Sequence, residues 1–331
     1  MYIQLQNLRG RGSPAAREGF APLPRNRRGR ALVRALAGGL TAAALAGCQT
    51  PPAAPVVMAP PVPVQPEVAK PPARPTRIGL ALGGGAARGF AHIGVIQVLE
   101  EAGIRPDLVV GTSAGSLVAA LYASGKNGNE LAALAQSMDE TAITDWSFPG
   151  RGLIRGEALA RYVRDNTGGR TIERMKLPLG IVATDLDNGQ GILFQVGDPG
   201  TAVRASSAVP AVFQPVRIGR REYVDGGLVA PVPVRFARQM GAEVVIAVDI
   251  SAGTEGNATG DAMRMLLQTF AIMGRSINAL ELREADIVLR PRLAGFASSD
   301  FSQRKRSIQA GREAMLAQLG ELRERIAAHM H

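Results

Sequence analysis

Residues 77–123, RIGLALGGGAARGFAHIGVIQVLEEAGIRPDLVVGTSAGSLVAALYA, decide the fold. They read twice as an apolar run, a glycine-bearing turn and a helical segment: RIGLAL leads into a helix that runs to about Ala102, and DLVVGTS leads into a helix from Ala114. A short, continuous apolar run suits a strand buried on both faces, and a helix after each such strand is the crossover of a parallel sheet. Further out, PLGIVATDL, ILFQVG, EVVIAVDI and ADIVLRP continue as strands, REYV leads up to Asp225, and 233–241, 261–280 and 303–328 are amphipathic. This alternation predicts an α/β domain, a mostly parallel central sheet covered on both faces by helices. There is no internal repeat and no second proline-rich linker, so residues 77–331 are expected to form one catalytic-sized domain, with SAGTEGNATGDA (251–262) as a loop within it.

Gly111-Thr112-Ser113-Ala114-Gly115 fits G-x-S-x-G, and it stands between the apolar run LVV and the helical run SLVAALYA. A serine on such a strand-to-helix turn is held in strained backbone geometry with its hydroxyl exposed. Without that chemistry the same pattern would be an ordinary turn with a capping serine.

Gly83-Gly84-Gly85-Ala86-Ala87-Arg88-Gly89 also follows a strand and opens a helix. Residues without Cβ bulk can present several amides to one anion, with the helix N-terminus adding partial positive charge. Taken alone the segment fits an oxyanion loop or a nucleotide phosphate loop equally. Against the second, the spacing is not G-x-G-x-x-G and no Lys-Ser/Thr follows; Glu100 and Glu101 fall inside the predicted helix rather than at the end of the second strand, where a ribose-binding acid is needed. Asp225-Gly226-Gly227 follows REYV, which sets a carboxylate at a strand end; by itself Asp-Gly is a turn signal.

The three motifs in this order resemble the patatin-like phospholipases. The likeness extends through GLALGGGAARGFAHIGVIQVLEEAGI, VATDLDNGQGILFQVGD, AVRASSAVPAVFQPVRIG and YVDGGLVAPVPV, over about residues 77–290, and points to the bacterial branch related to neuropathy target esterase. The resemblance implies a three-layer α/β/α fold and a serine lipid acyl hydrolase of phospholipase A or lysophospholipase type, acting on phospholipid or another fatty acyl ester. It also implies a Ser-Asp dyad: Ser113 as nucleophile, Asp225 as base, and Gly84, Gly85, Ala86 and Arg88 as the oxyanion loop. Gly83, Gly89, Gly111, Gly115, Gly226 and Gly227 are the remaining motif glycines. Asp185, Asp187, Ser206 and Ser207 fall in similar segments and read as supporting structure.

Histidine scarcity favours a dyad independently, since an activated serine needs a base within hydrogen-bond reach and the chain holds only His92, His329 and His331. His92 lies on the predicted helix after the glycine loop, where packing or a structural hydrogen bond is expected. An aspartate with a pKa of about 3.9 is a poor base in water, so Asp225 must be desolvated or bonded to Ser113. No metal or organic cofactor is implied. Two other functions keep the same fold: a membrane-tethered adaptor without catalysis, and a thioesterase or deacylase of small acyl groups.

The 331 residues are 46% apolar, which is ample for a core. The formal charge is +10, of which residues 1–47 carry +7: eight arginines against Glu18. Residues 48–331 hold only +3, and aromatics are 4%, so neither charge nor stacking surface supports nucleic-acid binding. The apolar run ALVRALAGGLTAAALAG (31–47) follows the arginines and stops at Cys48, the sole cysteine, which also excludes an internal disulfide. Leu45-Ala46-Gly47-Cys48 resembles the lipobox of bacterial lipoproteins. Residues 1–47 are therefore expected to be a lipoprotein signal peptide, Cys48 the lipidated residue, and 48–76 a proline- and alanine-rich spacer. The expected address is the bacterial cell envelope, with Gln49 after the cysteine favouring the outer membrane facing the periplasm.

Overall fold

The computed structural model describes residues 75–139, 143, 145, 146, 151–251, 253, 260–296 and 300–329. Residues 1–74, which include the expected signal peptide, Cys48 and nearly all of the expected spacer, and most of residues 251–262 lie outside them. The described strands are β1 (Ile78–Leu82), β2 (Leu108–Thr112), β3 (Gly152–Ile154), β4 (Leu179–Asp185), β5 (Gly191–Phe194), β6 (Ala211–Phe213), β7 (Val216–Ile218), β8 (Arg221–Asp225), β9 (Val244–Val248) and β10 (Ile287–Leu289). The helices are α1 (Phe90–Glu101), α2 (Ala114–Ala123), α3 (Gly128–Ser137), α4 (Glu157–Asn166), α5 (Pro199–Ser206), α6 (Val234–Gln239), α7 (Ala262–Glu281) and α8 (Arg304–Ala328).

One sheet runs in the order β10-β9-β1-β2-β4-β8-β7, with β5 also paired to β4. The contacts among β10, β9, β1, β2 and β4 are parallel; those of β4 with β5 and β8, and of β8 with β7, are antiparallel. The expected mostly parallel sheet is thus present, with its antiparallel pairs gathered at one side. β3 and β6 form a separate two-stranded sheet.

Successive side chains of a strand face opposite ways, and the core divides accordingly. Leu80, Leu82, Val109, Ile181 and Ile246 join one cluster with Val95, Ile96 and Leu99 of α1 and Met315 and Leu322 of α8. Ala81, Val110, Val182 and Val245 join another with Val234, Phe236 and Ala237 of α6. A sheet buried on both faces needs the near-continuous apolar strands that the sequence displays, and the result is the three-layer α/β/α arrangement.

β4 organises the site. Val182 pairs with Thr112 of β2 and Leu193 of β5, while Ala183 pairs with Asp225 of β8 and Ile192 of β5. With β5 along one edge, β2 and β8 share the other and meet end to end. Thr112 and Asp225 are therefore neighbours across the gap where the two strands stop.

Candidate active site

Ser113 leaves β2 with φ 53° and ψ −123° and caps α2. A positive φ is unfavourable for a residue with a Cβ, so the turn must be held from outside. The Ser206 hydroxyl at the end of α5 accepts the Ser113 amide at 2.8 Å and donates to the Val182 carbonyl at 2.6 Å. Ser116 closes the first turn of α2 by donating its hydroxyl to the Ser113 carbonyl at 2.6 Å. Gly115 permits the tight crossing: a Cβ there would stand 2.1 Å from the Leu82 carbonyl oxygen.

Asp225 ends β8 with its backbone fixed twice. Its amide donates to the Ala208 carbonyl at 3.0 Å, and its carbonyl accepts the Thr184 hydroxyl at 2.8 Å. Of the carboxylate, Oδ1 accepts the Gly227 amide at 2.7 Å, whereas Oδ2 is buried without a completed hydrogen bond. Burial is the largest influence on this group and pushes its pKa up to about 6; the Ser113 hydroxyl and the Gly227 amide act in the opposite direction, as donors do toward a carboxylate. Ser113 is the one described side chain that acts on the carboxyl as a donor.

The glycine-rich loop lies beside this pair, and the place where a Gly84 Cβ would stand is 3.2 Å from the Ser113 Cβ. The Gly84 amide donates to the Pro231 carbonyl at 2.9 Å. That bond narrows the expected oxyanion donors: the Gly85 and Ala86 amides carry no hydrogen bond to another described residue, while Gly84 is committed to the loop's own support. Ala86, at φ 52°, turns the loop into the 3-10 turn Ala86–Gly89 that precedes α1. Arg88 is buried and its Nε donates to the Gly85 carbonyl at 3.3 Å. Burial lowers its pKa and the charge of Asp249 opposes that; it pins the loop from within. His92 is fully buried on α1, with Nε2 2.8 Å from the Gly83 carbonyl. Burial depresses its pKa to about 4, so the ring is neutral at ordinary pH and donates to that carbonyl.

Gly84, Gly85, Ala86, Arg88, Ser113 and Asp225 line a single cleft of about 270 Å³. Its other walls include Val209, Pro210 and Leu228, and Leu267, Phe270 and Arg275 from α7. Residues 80–238 match the family model described as patatin-like phospholipase. These residues form a patatin-like phospholipase domain. An uncharacterized NTE family protein of Mycobacterium tuberculosis is 37% identical over 207 residues, 62% of this chain and 57% of that protein. Patatin-like phospholipase domain-containing protein 6 of Mus musculus is 33% identical over 196 residues, 56% of this chain and 14% of that protein. This chain therefore spans little more than half of the first relative and a small part of the second. Among solved structures, VipD from Legionella pneumophila shares the fold at a TM-score of 0.51 and 16% identity, covering 78% of this chain and 68% of that one.

Several contributors to the patatin-like site carry no local signal. Thr112 donates to the Ala230 carbonyl at 2.9 Å and ties the strand that carries Ser113 to the segment after Asp225. The α7 residues of the cleft wall come from beyond the matched region. Ser206, read only as support, has a specific partner in the Ser113 amide. Asp185, also read as support, pairs with Arg221 and accepts the Asp187 amide at 3.0 Å, which fixes the turn between β4 and β5.

Proposed function

We propose that the chain is a serine hydrolase of lipid acyl esters, a phospholipase A or lysophospholipase-type esterase working through a Ser113–Asp225 dyad. One observation carries the reading: a desolvated carboxyl with one oxygen lacking a hydrogen bond, a strained, half-buried serine that acts on that carboxyl as a donor, and two amides without a hydrogen bond to another described residue line one cleft.

Asp225 Oδ2 takes the Ser113 hydroxyl proton as Oγ attacks the acyl carbon. The amides of Gly85 and Ala86 donate to the oxyanion, aided by the positive end of the helical segment they open. The tetrahedral species collapses, the bond to the alcohol oxygen breaks, and Asp225 returns the proton to the departing alcohol. Water then gives a proton to the same carboxylate and attacks the acyl-serine; collapse releases the fatty acid and restores the Ser113 hydroxyl. Burial helps here because a carboxyl titrating near 6 is a stronger base than one at the ordinary value, yet is mostly ionised at pH 7 to 8.

The test is turnover of graded p-nitrophenyl esters and phospholipid vesicles by the full chain in detergent, alongside Ser113→Ala and Asp225→Asn. Both variants are expected to keep their fold and lose turnover; hydrolysis indifferent to Ser113→Ala would sink the reading. We further propose that Cys48 bears a lipid that tethers the domain to a bacterial envelope membrane, on the strength of the Leu45–Cys48 sequence. Labelled palmitate should enter the wild type and not Cys48→Ala.

A further inference from the structure

The glycine-rich loop separates two cavities. Gly84, Gly85 and Arg88 face the cleft of Ser113 and Asp225, whereas Ala87, Gly89 and Phe90 face a second cavity of about 70 Å³, and Ala86 borders both. The nucleophile turn divides in the same way, since Ser113 lines the cleft and Ala114 the second cavity. The two spaces thus share Ala86 in their walls and flank the Ser113–Ala114 turn from opposite sides.

Their chemistry differs sharply. The cleft holds Asp225, Arg88 and Arg275. The second cavity is walled by side chains of α1, α2 and α3, among them Leu117, Leu121, Leu134 and Ala135, and by Met138; among the described lining residues none is charged, and Tyr162 supplies the only polar side chain. Water held against apolar walls is released favourably when apolar groups take its place, so this space favours a methylene chain and disfavours a charged headgroup.

We propose that this second cavity receives the acyl chain of the ester, and that Leu134 and Ala135 of α3 limit the chain length hydrolysed best. The inference rests on the serine hydrolase reading above and adds the division of the substrate to it. The acyl chain leaves the carbonyl past Ala86 into the apolar space; the alcohol, with any headgroup, remains on the cleft side, where Asp225 can return its proton.

Two substitutions change the cavity in opposite directions. Ala135→Leu puts an isobutyl group in place of a methyl on a helix, where leucine is well tolerated, and fills the space; Leu134→Ala enlarges it. On the full chain in detergent, the ratio of kcat/KM for p-nitrophenyl dodecanoate to that for the butyrate is expected to fall roughly tenfold or more in Ala135→Leu, since exclusion of even one or two methylenes has effects of that order. Leu134→Ala should move the optimum to longer esters. A second measurement does not need turnover: a fluorescent fatty acid, cis-parinaric acid, titrated into Ser113→Ala should bind about tenfold more weakly once Ala135→Leu is added. Ratios and fatty-acid affinity that stay at their starting values in the folded variants overturn the proposal, and should Ala135→Leu fail to fold, Leu134→Ala decides alone. If the fatty acid binds as expected but no ester is turned over in a Ser113-dependent way, the cavity assignment stands and the hydrolase reading falls.

Discussion

The Ser206 hydroxyl lies 2.8 Å from the Ser113 amide and accepts its hydrogen, while passing its own hydrogen to Val182. The strained turn at Ser113 is therefore held by a side chain 93 positions away. Ser206→Ala leaves the buried Val182 carbonyl and the Ser113 amide without this partner. It should lower stability by about 1–3 kcal/mol and reduce kcat by roughly tenfold, with substrate KM changing less because the cleft walls remain. Chemical denaturation and steady-state kinetics check both parts; a variant with wild-type kcat would show that the turn keeps its shape without the hydroxyl.

Asp225 couples catalysis and stability with opposite signs. Its folded pKa is about 6 against an unperturbed value of 3.8. The folded protein thus keeps a proton that the unfolded chain has already lost, so this contribution is fully present below about pH 4 and is lost as pH rises through about 6. The difference corresponds to about 3 kcal/mol. Asp225→Asn removes the buried charge and retains an oxygen for the Gly227 amide. At pH 8 it should melt no lower than wild type while kcat/KM falls by about 10²–10⁴. Wild-type kcat/KM should rise with pH through an acid limb near 6. Calorimetry and a pH-rate profile test this directly, and a variant less stable than wild type at pH 8 would contradict it.

His92 titrates the other way. Its folded pKa is depressed to about 4 from 6.5, so the stability due to its neutral form is present above about pH 6.5 and lost as pH falls through 4. His92→Phe strips the Gly83 carbonyl of its donor and should cost about 1–3 kcal/mol, with a drop in activity much smaller than that of Asp225→Asn. The acid limb near pH 6 should survive in this variant. Its disappearance would make His92, and not Asp225, the titrating base.

Ser113→Gly and Ser113→Ala should both be inactive, but not equally stable. Only glycine adopts φ near 53° without a Cβ penalty, so Ser113→Gly should exceed Ser113→Ala by about 1 kcal/mol. Paired thermal melts read the difference; equal midpoints would mean that the turn stores no strain.

Gly115→Ala should be among the most disruptive single changes. The added Cβ would stand 2.1 Å from a backbone oxygen of β1, and neither partner is a flexible side chain. A loss of about 4 kcal/mol or more is expected, seen as poor soluble yield or a large fall in the denaturation midpoint.

Patterning along the chain dictates the layering and marks candidates for the site. Apolar runs such as LVV and EVVIAV, broken by glycine turns and followed by helical spacing, require a sheet buried on both faces, because no other arrangement hides such strands. Residue chemistry likewise marked Ser113, Asp225 and the Gly83–Gly89 loop, and the near absence of histidine left few alternatives. The short strands β3, β6 and β7 escaped notice because three residues carry no periodicity; β3 and β6 in addition pair with each other, far apart in the chain. Only the tertiary structure decided that β2 and β8 end against each other on one edge of β4, and that the Gly84 amide belongs to Pro231. Tertiary structure also supplied Ser206 to the Ser113 amide and placed an apolar cavity behind Ala86. Local sequence sets which groups a segment can offer. Which group a buried amide or carboxylate meets is fixed by strand register and helix packing between segments far apart in the chain, and that pairing is what turns a list of polar residues into a site.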